Sequence, residues 1–343
     1  MKNGIEAIIG IEIMSHNLNS KNVVVTGAAG YIGGITCIEL KRKGYNVFGV
    51  DKRYTSHLDK YYDEFYQGDF IDYKSFLLLK KANPTTIIHC AGSSLVDPSF
   101  ISPGTYFDNN IAKTNRLLDF IKDELIATKF IFSSSAAVYG NWSREPYREY
   151  NDTFPVSPYG ETKLMVEKIL SWYHKIFGLK YVSLRYFNAC GADFESIHGQ
   201  EPGASHIFAK LFECALNDTA FTLYGSNYHT KDQTCIRDYL HVSDIAEAHI
   251  QCIENDTVGI YNLGTLKGTS NLECLEQVEI FLNKNIVVNV APKREGDPAI
   301  LIADPTKFQI ATGWKAQRSM AMIVKNLHQW YQSDIFKKLN KRS

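Results

Sequence analysis

The sequence predicts an α/β fold in which a doubly wound parallel sheet is joined to a smaller, mixed α/β lobe. Three observations predict it. Apolar runs alternate with helical patterns through the first half of the 343-residue chain, a glycine-rich turn follows the first run, and the rhythm ends after about residue 187. Such alternation implies parallel strands joined by right-handed crossovers, with helices on both faces of the sheet.

The first half contains short apolar runs that suit strands and longer stretches with helical periodicity. The predicted strands are 22–25, 46–51, 85–91, 129–133 and 181–185, and the predicted helices are 32–42, 73–81, 109–121 and 159–176. Beyond them we expect a loop over 191–205, helices over 206–216 and 243–253, and strands over 221–224 and 286–290. The expected domains are 21–188 for the large sheet and 189–343 for the smaller lobe, with interdigitating segments.

Composition argues against several classes of function. Lysine plus arginine equals aspartate plus glutamate at 37 each, so no basic surplus indicates a nucleic-acid partner. No apolar run reaches the length of a membrane span, and we expect residues 1–20 to be a poorly ordered extension. The 7 cysteines and 10 histidines show no metal-ligand spacing, which favours reduced thiols in a cytoplasmic protein and no metal site.

Residues 26–33 form a glycine-rich turn between a predicted strand and a predicted helix. Gly27 allows a tight turn, Gly30 removes a Cβ where a pyrophosphate would approach, and Gly33 allows helix and strand to pack closely. Asp51 ends the next predicted strand, where an acid holds the ribose diol of a dinucleotide. Because this carboxylate repels a 2′-phosphate, the pattern predicts a Rossmann-type domain that binds NAD rather than NADP.

Tyr159 and Lys163 lie four residues apart at the start of a predicted helix, which Pro158 is placed to open. Residues with this spacing share one helical face. To act as a base near neutral pH, the phenol must lower its pKa of about 10 by roughly three units, or about 4 kcal/mol. We expect the ammonium group and a positively charged nicotinamide to lower it. Ser135 follows the predicted strand 129–133, where its hydroxyl can bond the reacting oxygen.

Further motifs follow the glycine turn along the chain. They are GD (68–69), DNN (108–110), FSSSAAVYG (132–140), SPYGETKLMVE (157–167), LRYFN (184–188), RDYLHV (237–242), YNLG (261–264) and REGD (294–297). With them the chain resembles the extended short-chain dehydrogenase/reductase family, and within it the UDP-glucose 4-epimerases, from about residue 22 to about residue 330. The glycine turn and the Tyr/Lys pair mark only the superfamily, whereas the later motifs together are typical of epimerase-like members.

The resemblance implies NAD as cofactor, a UDP-hexose as substrate, and a homodimer. Residues implied to contact NAD are Gly27, Gly30, Tyr31, Ile32, Gly33, Asp51, Asp69, Phe70, Ala91, Gly92, Ser94, Asn109, Lys163 and Phe187. Residues implied to contact the UDP-hexose are Ser135, Tyr159, Asn188, Tyr224, Arg237, Arg294, Asp297 and Leu301. Of the second set, Asn188 and the two arginines would hold the diphosphate, Asp297 would reach the uridine ribose, and Tyr224 would lie near uracil.

The reaction that the resemblance implies inverts C4 of UDP-glucose or UDP-galactose without net oxidation. Tyr159, with Ser135 beside it, would take the proton from O4 while C4 gives a hydride to NAD. The transient 4-keto sugar would turn over and take the hydride back on its other face. Lys163 would bridge Tyr159 and the nicotinamide ribose. Binding energy would be concentrated on UDP and kept small on the hexose.

Three positions depart from the family's pattern. Ser94 stands where many members have a lysine, and the short loop after Asp51 begins with Lys52 and Arg53, whose charges favour a 2′-phosphate. Both changes are expected to weaken NAD binding without removing the chemistry. Leu301 matches the pocket wall at the hexose 2-substituent, where a large aromatic residue excludes an N-acetyl group and a small residue admits it. Leucine is intermediate, which predicts a strong preference for UDP-glucose and UDP-galactose and leaves room for weak activity on the N-acetylated sugars.

Three other functions remain open on the sequence. Another 4-epimerase would act on UDP-N-acetylglucosamine or on UDP-glucuronate, although no group for the glucuronate carboxylate is evident. A sugar-nucleotide dehydratase needs an acid and a base beside the serine, and Ala136 and Ala137 stand there. A non-catalytic NAD-binding protein is disfavoured because Ser135, Tyr159 and Lys163 are all present.

Overall fold

The computed structural model describes residues 21–125, 128–141, 145–294 and 296–341. The predicted extension, residues 1–20, lies outside these described ranges. None of the helices within them combines the length and the apolar character that crossing a bilayer requires. The cysteine side chains are all free thiols.

A large parallel sheet runs through the molecule. The strands are β1 (Asn22–Thr26), β2 (Asn46–Asp51), β3 (Glu64–Gln67), β4 (Thr86–His89), β5 (Lys129–Ser135), β6 (Tyr181–Tyr186), β7 (Asn188–Cys190), β8 (Phe221–Tyr224), β9 (Ile236–Arg237), β10 (Tyr239–His241), β11 (Gly259–Leu263), β12 (Thr269–Ser270), β13 (Val288–Ala291) and β14 (Ile300–Leu301). The large sheet has the order β11-β6-β5-β4-β1-β2-β3, and each pair in it is parallel. Small sheets pair β7 with β10, β8 with β13, and β9 with β12 and β14.

Helices cover both faces of the large sheet. They are α1 (Tyr31–Arg42), α2 (Tyr73–Ala82), α3 (Asp97–Ile101), α4 (Pro103–Tyr106), α5 (Lys113–Glu124), α6 (Pro158–Phe177), α7 (Ile207–Asn217), α8 (Val242–Glu254), α9 (Asn271–Leu282), α10 (Thr306–Thr312), α11 (Met320–Gln332) and α12 (Asp334–Asn340). Val23 and Val25 pack with α1 and α8, whereas Val24 packs with α2, α5 and α6 on the opposite face. This arrangement confirms the predicted doubly wound α/β fold.

The smaller lobe has a core of its own. Helices α7, α9, α11 and α12 pack around buried aromatic and aliphatic side chains that include Phe212, Leu327 and Trp330, and β8 and β13 cover one side. The lobe begins where the alternating pattern of the sequence ends. Its short strands and separate helices are the mixed α/β structure that the sequence predicts.

The structure contains elements beyond the predicted ones, and one predicted helix begins differently. In the large sheet these are β3, whose sequence EFYQ has no continuous apolar run, and β11, which follows the point at which the alternating pattern ends. Elsewhere they are the short strands β7, β9, β10, β12 and β14 and the helices α3, α4, α9, α10, α11 and α12. The predicted helix 109–121 begins instead as a π-helical turn, Phe107–Ala112, that continues into α5. Because β11 joins the large sheet and α8 packs on α1, the chain beyond residue 188 returns to the first domain. The division at residue 188 stays a prediction.

Capping residues fix the ends of α6, the helix on which the site depends. Ser157 is the N-cap, and its side chain accepts a hydrogen bond from the Gly160 N–H at 3.1 Å. Pro158 occupies the first helical position, where its missing N–H is no loss. Gly178 ends the helix with φ +73°, a left-handed conformation that favours glycine. The first turns of α6 therefore start at a defined place beside the end of β5.

Four core histidines make the fold sensitive to acid. Burial lowers the pKa of His89, His198 and His249 to about 3 and that of His241 to about 4. When unfolded they titrate near 6.5, so below that pH the unfolded chain binds more protons and stability falls as pH falls. We predict a loss of up to about 1.4 kcal/mol per pH unit for each histidine below pH 6.5, measured by denaturant unfolding. His249→Asn should reduce this slope, and a flat profile would contradict the prediction.

Candidate active site

A cavity of about 990 Å³ opens at the carboxyl ends of the strands of the large sheet. Ligands of doubly wound folds bind at this edge. The ends of β1, β2, β4 and β5 contribute one side of the lining, and residues of the smaller lobe, among them His206 and Arg294, contribute the other. The volume is at the upper end of the range for cofactor and small-molecule sites, as two ligands side by side would need.

The glycine turn forms a cradle at one end of the cavity. Gly27 has φ +73°, and a Cβ there would lie 2.7 Å from the amide nitrogen of Ala91. A Cβ at Gly33 would lie 2.0 Å from the carbonyl oxygen of Gly27, so only glycine lets α1 pack against the turn. The N-cap of α1 is Gly30, which has no side chain to cap the first amides. These N–H groups therefore fit a pyrophosphate.

Asp51 lies at the neighbouring corner of the cavity. Its carboxylate accepts hydrogen bonds from two backbone N–H groups, at 3.0 and 2.9 Å, which orient it. Both cations that could favour a 2′-phosphate are already paired, Lys52 with Asp69 at 2.9 Å and Arg53 with Glu201 at 2.7 Å. The corner therefore suits a ribose diol better than a phosphorylated ribose.

Most residues expected at the cofactor line the cavity. They are Gly27, Gly30, Tyr31, Ile32, Gly33, Asp51, Phe70, Ala91, Gly92, Ser94, Asn109, Lys163 and Phe187. Asp69 lies outside the lining, where its carboxylate accepts from the Lys113 ammonium at 2.9 Å, while its neighbours Gly68 and Phe70 face the cavity.

Tyr159, Lys163 and Ser135 meet at the wall of the cavity. The ammonium group of Lys163 donates a hydrogen bond to the carbonyl oxygen of Ser133 at 2.8 Å and lies 5.7 Å from the centre of the Tyr159 ring. The side chain of Ser135 lies beside the phenol of Tyr159, close enough to influence its pKa. The three groups that the sequence places on α6 and at the end of β5 are thus brought together.

The protein alone does not make this phenol acidic. Burial raises the pKa of Tyr159, and the neighbouring Ser135 offsets this only in part. Burial also lowers the pKa of Lys163 to about 8, because burial disfavours the charged form of each group. The expected lowering of the Tyr159 pKa relies on the Lys163 ammonium together with a positively charged nicotinamide, and it stays a prediction.

The residues expected at the substrate fall into two groups. Asn188, Arg294, Asp297 and Leu301 line the cavity together with Ser135 and Tyr159, whereas Tyr224 and Arg237 lie outside the lining. Tyr224 and Arg237 each contact a residue of the lining. The Arg237 guanidinium donates to Asp297 at 2.5 Å, and the Arg294 guanidinium lies 4.3 Å from the centre of the Tyr224 ring.

Residues of the predicted loop 191–205 also reach the cavity, and sequence reasoning missed them. Gln200 and Glu201 line it, and the ring of His198 hydrogen-bonds the carbonyl oxygen of Gly30 in the cradle at 3.1 Å. Polar loop residues have no periodic spacing. The composition of the loop could indicate a connection but not which side chains turn inward.

Comparison with known proteins identifies this arrangement. Residues 23–264 match the sequence profile of the NAD dependent epimerase/dehydratase family. The chain belongs to this family. Its membership confirms the predicted cofactor, NAD, and the cradle, the carboxylate of Asp51 and the lining around them fit that dinucleotide.

Several relatives of this epimerase/dehydratase have names that specify a reaction. A UDP-glucose 4-epimerase of Lactobacillus helveticus is 37% identical over 324 residues, which are 91% of this chain and 97% of the relative. The crystal structure of a UDP-glucose-4-epimerase from Stenotrophomonas maltophila with bound NAD and formylated UDP-arabinopyranose has a TM-score of 0.87 at 30% identity, covering 94% of this chain and 99% of its own. The UDP-glucose 4-epimerase of Bifidobacterium longum, in complex with NAD+ and UDP, has a TM-score of 0.84 at 33% identity, covering 92% and 99%.

The cofactor preference of this epimerase/dehydratase should depend on Asp51. We predict that Asp51→Ala weakens NAD binding about tenfold and narrows the preference for NAD over NADP, because the variant loses both the ribose acceptor and the repulsion of a 2′-phosphate. Calorimetry of both dinucleotides on cofactor-stripped protein measures the change. Asp256→Ala, which removes an exposed carboxylate paired with Lys180, is the matched control. An unchanged preference in Asp51→Ala would show that another group selects the cofactor.

Proposed function

We propose that the chain is an NAD-dependent UDP-glucose 4-epimerase, which interconverts UDP-glucose and UDP-galactose by inverting C4. The observation that carries the proposal is the meeting of Ser135, Tyr159 and Lys163 at a cavity that has a dinucleotide cradle at one end and arginine at the other. The names of the relatives in the family support the same reaction.

The chain's own residues account for the movement of the proton. NAD, when bound, supplies a hydride acceptor whose reduced form can return the hydride. Tyr159 accepts the O4 proton and gives it back, and the hydroxyl of Ser135 holds the phenol and the sugar oxygen in line. Lys163, anchored on the Ser133 carbonyl, keeps a positive charge near the ionised phenol. A general base of this kind contributes about 10² to 10⁴ in rate.

The diphosphate and the hexose of the proposed substrate would contact different parts of the cavity lining. Arg294 lines the cavity, where its guanidinium is available to phosphate oxygens, and Arg237 is paired with Asp297 outside the lining. On the sugar side the lining includes Ala136, Ala137 and Leu301, which offer no charged hold. We propose that UDP is therefore held firmly while the 4-keto sugar is free to turn over. The same two alanines disfavour a dehydratase, which would need an acid and a base there.

We also propose that the enzyme is a homodimer that acts in the cytoplasm. Helix α6 exposes a row of large apolar side chains, Met165, Trp172, Ile176 and Phe177, of which Ile176 is 62% exposed. A second copy of the chain would cover such a surface. The free cysteines are those of a protein in a reducing compartment.

The decisive experiment incubates the purified protein with UDP-galactose and no added cofactor. We expect UDP-glucose to form and NAD to be recovered from the denatured protein. Tyr159→Phe should lower kcat by about 10³ with NAD content unchanged, because the variant lacks only the proton acceptor. Tyr173→Phe, on the same helix, removes a phenol that bonds Asp119 instead and should keep full activity. Turnover by Tyr159→Phe would contradict the assigned base.

The size of Leu301 should set the substrate preference. We predict that the protein favours UDP-glucose and UDP-galactose over the N-acetylated pair, and that Leu301→Gly raises kcat/KM for the N-acetylated pair about tenfold by making room. Leu301→Tyr should abolish that weak activity and keep the main one. Coupled assays on both substrate pairs measure these ratios. Equal efficiency of the unmodified protein on the two pairs would contradict the preference.

A further inference from the structure

Three successive turns of α6 contact three successive residues at the end of β5. Tyr159, Lys163 and Glu167 follow one another at four-residue intervals and so share one face of the helix. Lys163 and Glu167 each hydrogen-bond one of the serines 133–135, and Tyr159 lies beside the third, Ser135. The contacts of the first two are described above. In the third, the hydroxyl of Ser134 donates to the Glu167 carboxylate at 2.6 Å.

The Glu167 carboxylate is held firmly in place. Its side chain is 1% exposed, and that of its partner Arg185 is 3% exposed. The guanidinium donates from Nε to one carboxylate oxygen at 2.9 Å and from a terminal nitrogen to the other at 2.6 Å. Such a two-pronged pair has one geometry. Glu167 therefore anchors the end of β5 at Ser134. This serine lies between Ser133, which binds the ammonium group, and Ser135, which lies beside the phenol.

Glu167 is also one of the titratable groups around Lys163. The titratable groups that face this ammonium are His89 from β4, Cys90 directly after that strand, and Tyr159 and Glu167 from α6. Burial lowers the pKa of His89 to about 3, raises that of Cys90 to about 11 and raises that of Tyr159, so all three are neutral near pH 7. Glu167, one helical turn away, favours the charged form of Lys163.

We propose that Glu167 is a positioning residue of the epimerase reaction, acting through Ser134 and Lys163 without touching substrate or cofactor. Its hydrogen bond to Ser134 fixes the end of β5 against α6, so that the hydroxyl of Ser135 stays directed at the phenol. Its carboxylate, one turn along the same face of α6, favours the protonated form of the buried Lys163. This role rests on the proposed function, since the residues that it positions are those assigned to proton transfer.

Ser134→Ala tests the hydrogen bond without unpairing a buried charge. We expect kcat to fall about tenfold, with KM for the UDP-sugar and NAD content unchanged, because only the alignment of the reacting groups is lost. Ser183→Ala is the matched control. Ser183 is fully buried on β6, opposite Phe132, and no other described residue hydrogen-bonds its hydroxyl. This control should keep its kcat. Equal kcat values for the two variants would overturn the positioning role of Ser134.

The pH profile of kcat tests the charge. In Glu167→Gln the amide can still accept from Ser134, but the ammonium loses its nearby negative charge, so the alkaline limb should move to lower pH by about one unit. Because this variant leaves Arg185 unpaired, Glu167→Gln with Arg185→Gln is measured as well. In the double variant the alkaline limb of the pH profile should also move to lower pH, but by less than in Glu167→Gln alone. A drop in kcat that is uniform with pH in both variants would overturn the electrostatic role.

A failure of the proposed function and a failure of the positioning role would give different results. If the unmodified protein does not convert UDP-galactose, the proposed function is wrong. The contact of β5 with α6 can then still be tested by hydrogen exchange, in which Ser134→Ala, but not Ser183→Ala, should speed exchange of the amides of residues 135–137. Unchanged exchange there would overturn the anchoring of β5. If the unmodified protein is active and Ser134→Ala matches its control, only the positioning role is wrong.

Discussion

A buried ammonium group is the constraint on which the site depends. Lys163 can leave water only if the protein supplies acceptors and negative surfaces. They come from the Ser133 carbonyl oxygen at 2.8 Å and from the rings of Phe132 and Tyr159, at 4.9 and 5.7 Å. The helix and the end of the strand must both be in place to provide them. The packing of α6 against the end of β5 therefore brings the groups of the candidate site together.

The same burial explains why the chemistry depends on the cofactor. Burial raises the pKa of the Tyr159 phenol and lowers that of the Lys163 ammonium, so the protein by itself favours the neutral form of each. The positive charge of oxidised NAD, when bound, would favour the ionised phenol. In the proposed reaction Tyr159 would then be able to accept a proton in the state in which a proton must leave the sugar.

The two lobes contribute different binding groups to the cavity. The sheet domain supplies glycine backbone and an oriented carboxylate, which suit a dinucleotide, while the smaller lobe supplies Arg294 and the pair of Arg237 with Asp297. The Arg53 to Glu201 ion pair joins the lobes across the cavity mouth. Each half is polar where phosphates are expected. The alanines that follow Ser135 leave the sugar region without charge, which is compatible with a sugar that must rotate.

The sequence is enough to predict the alternating elements of the first half, the doubly wound class and the residues of the cradle, since apolar periodicity, glycine spacing and the pair on one helical face are local properties. Tyr159 and Lys163 could be selected because their spacing places them on one side of α6, and Ser135 because it ends β5. Other features are visible only in the folded structure. Strand β11 joins the large sheet, and Asp69 pairs with Lys52 and Lys113. Glu167 accepts a hydrogen bond from Ser134. These depend on contacts between distant segments, and a single sequence has no period or local motif that encodes such contacts.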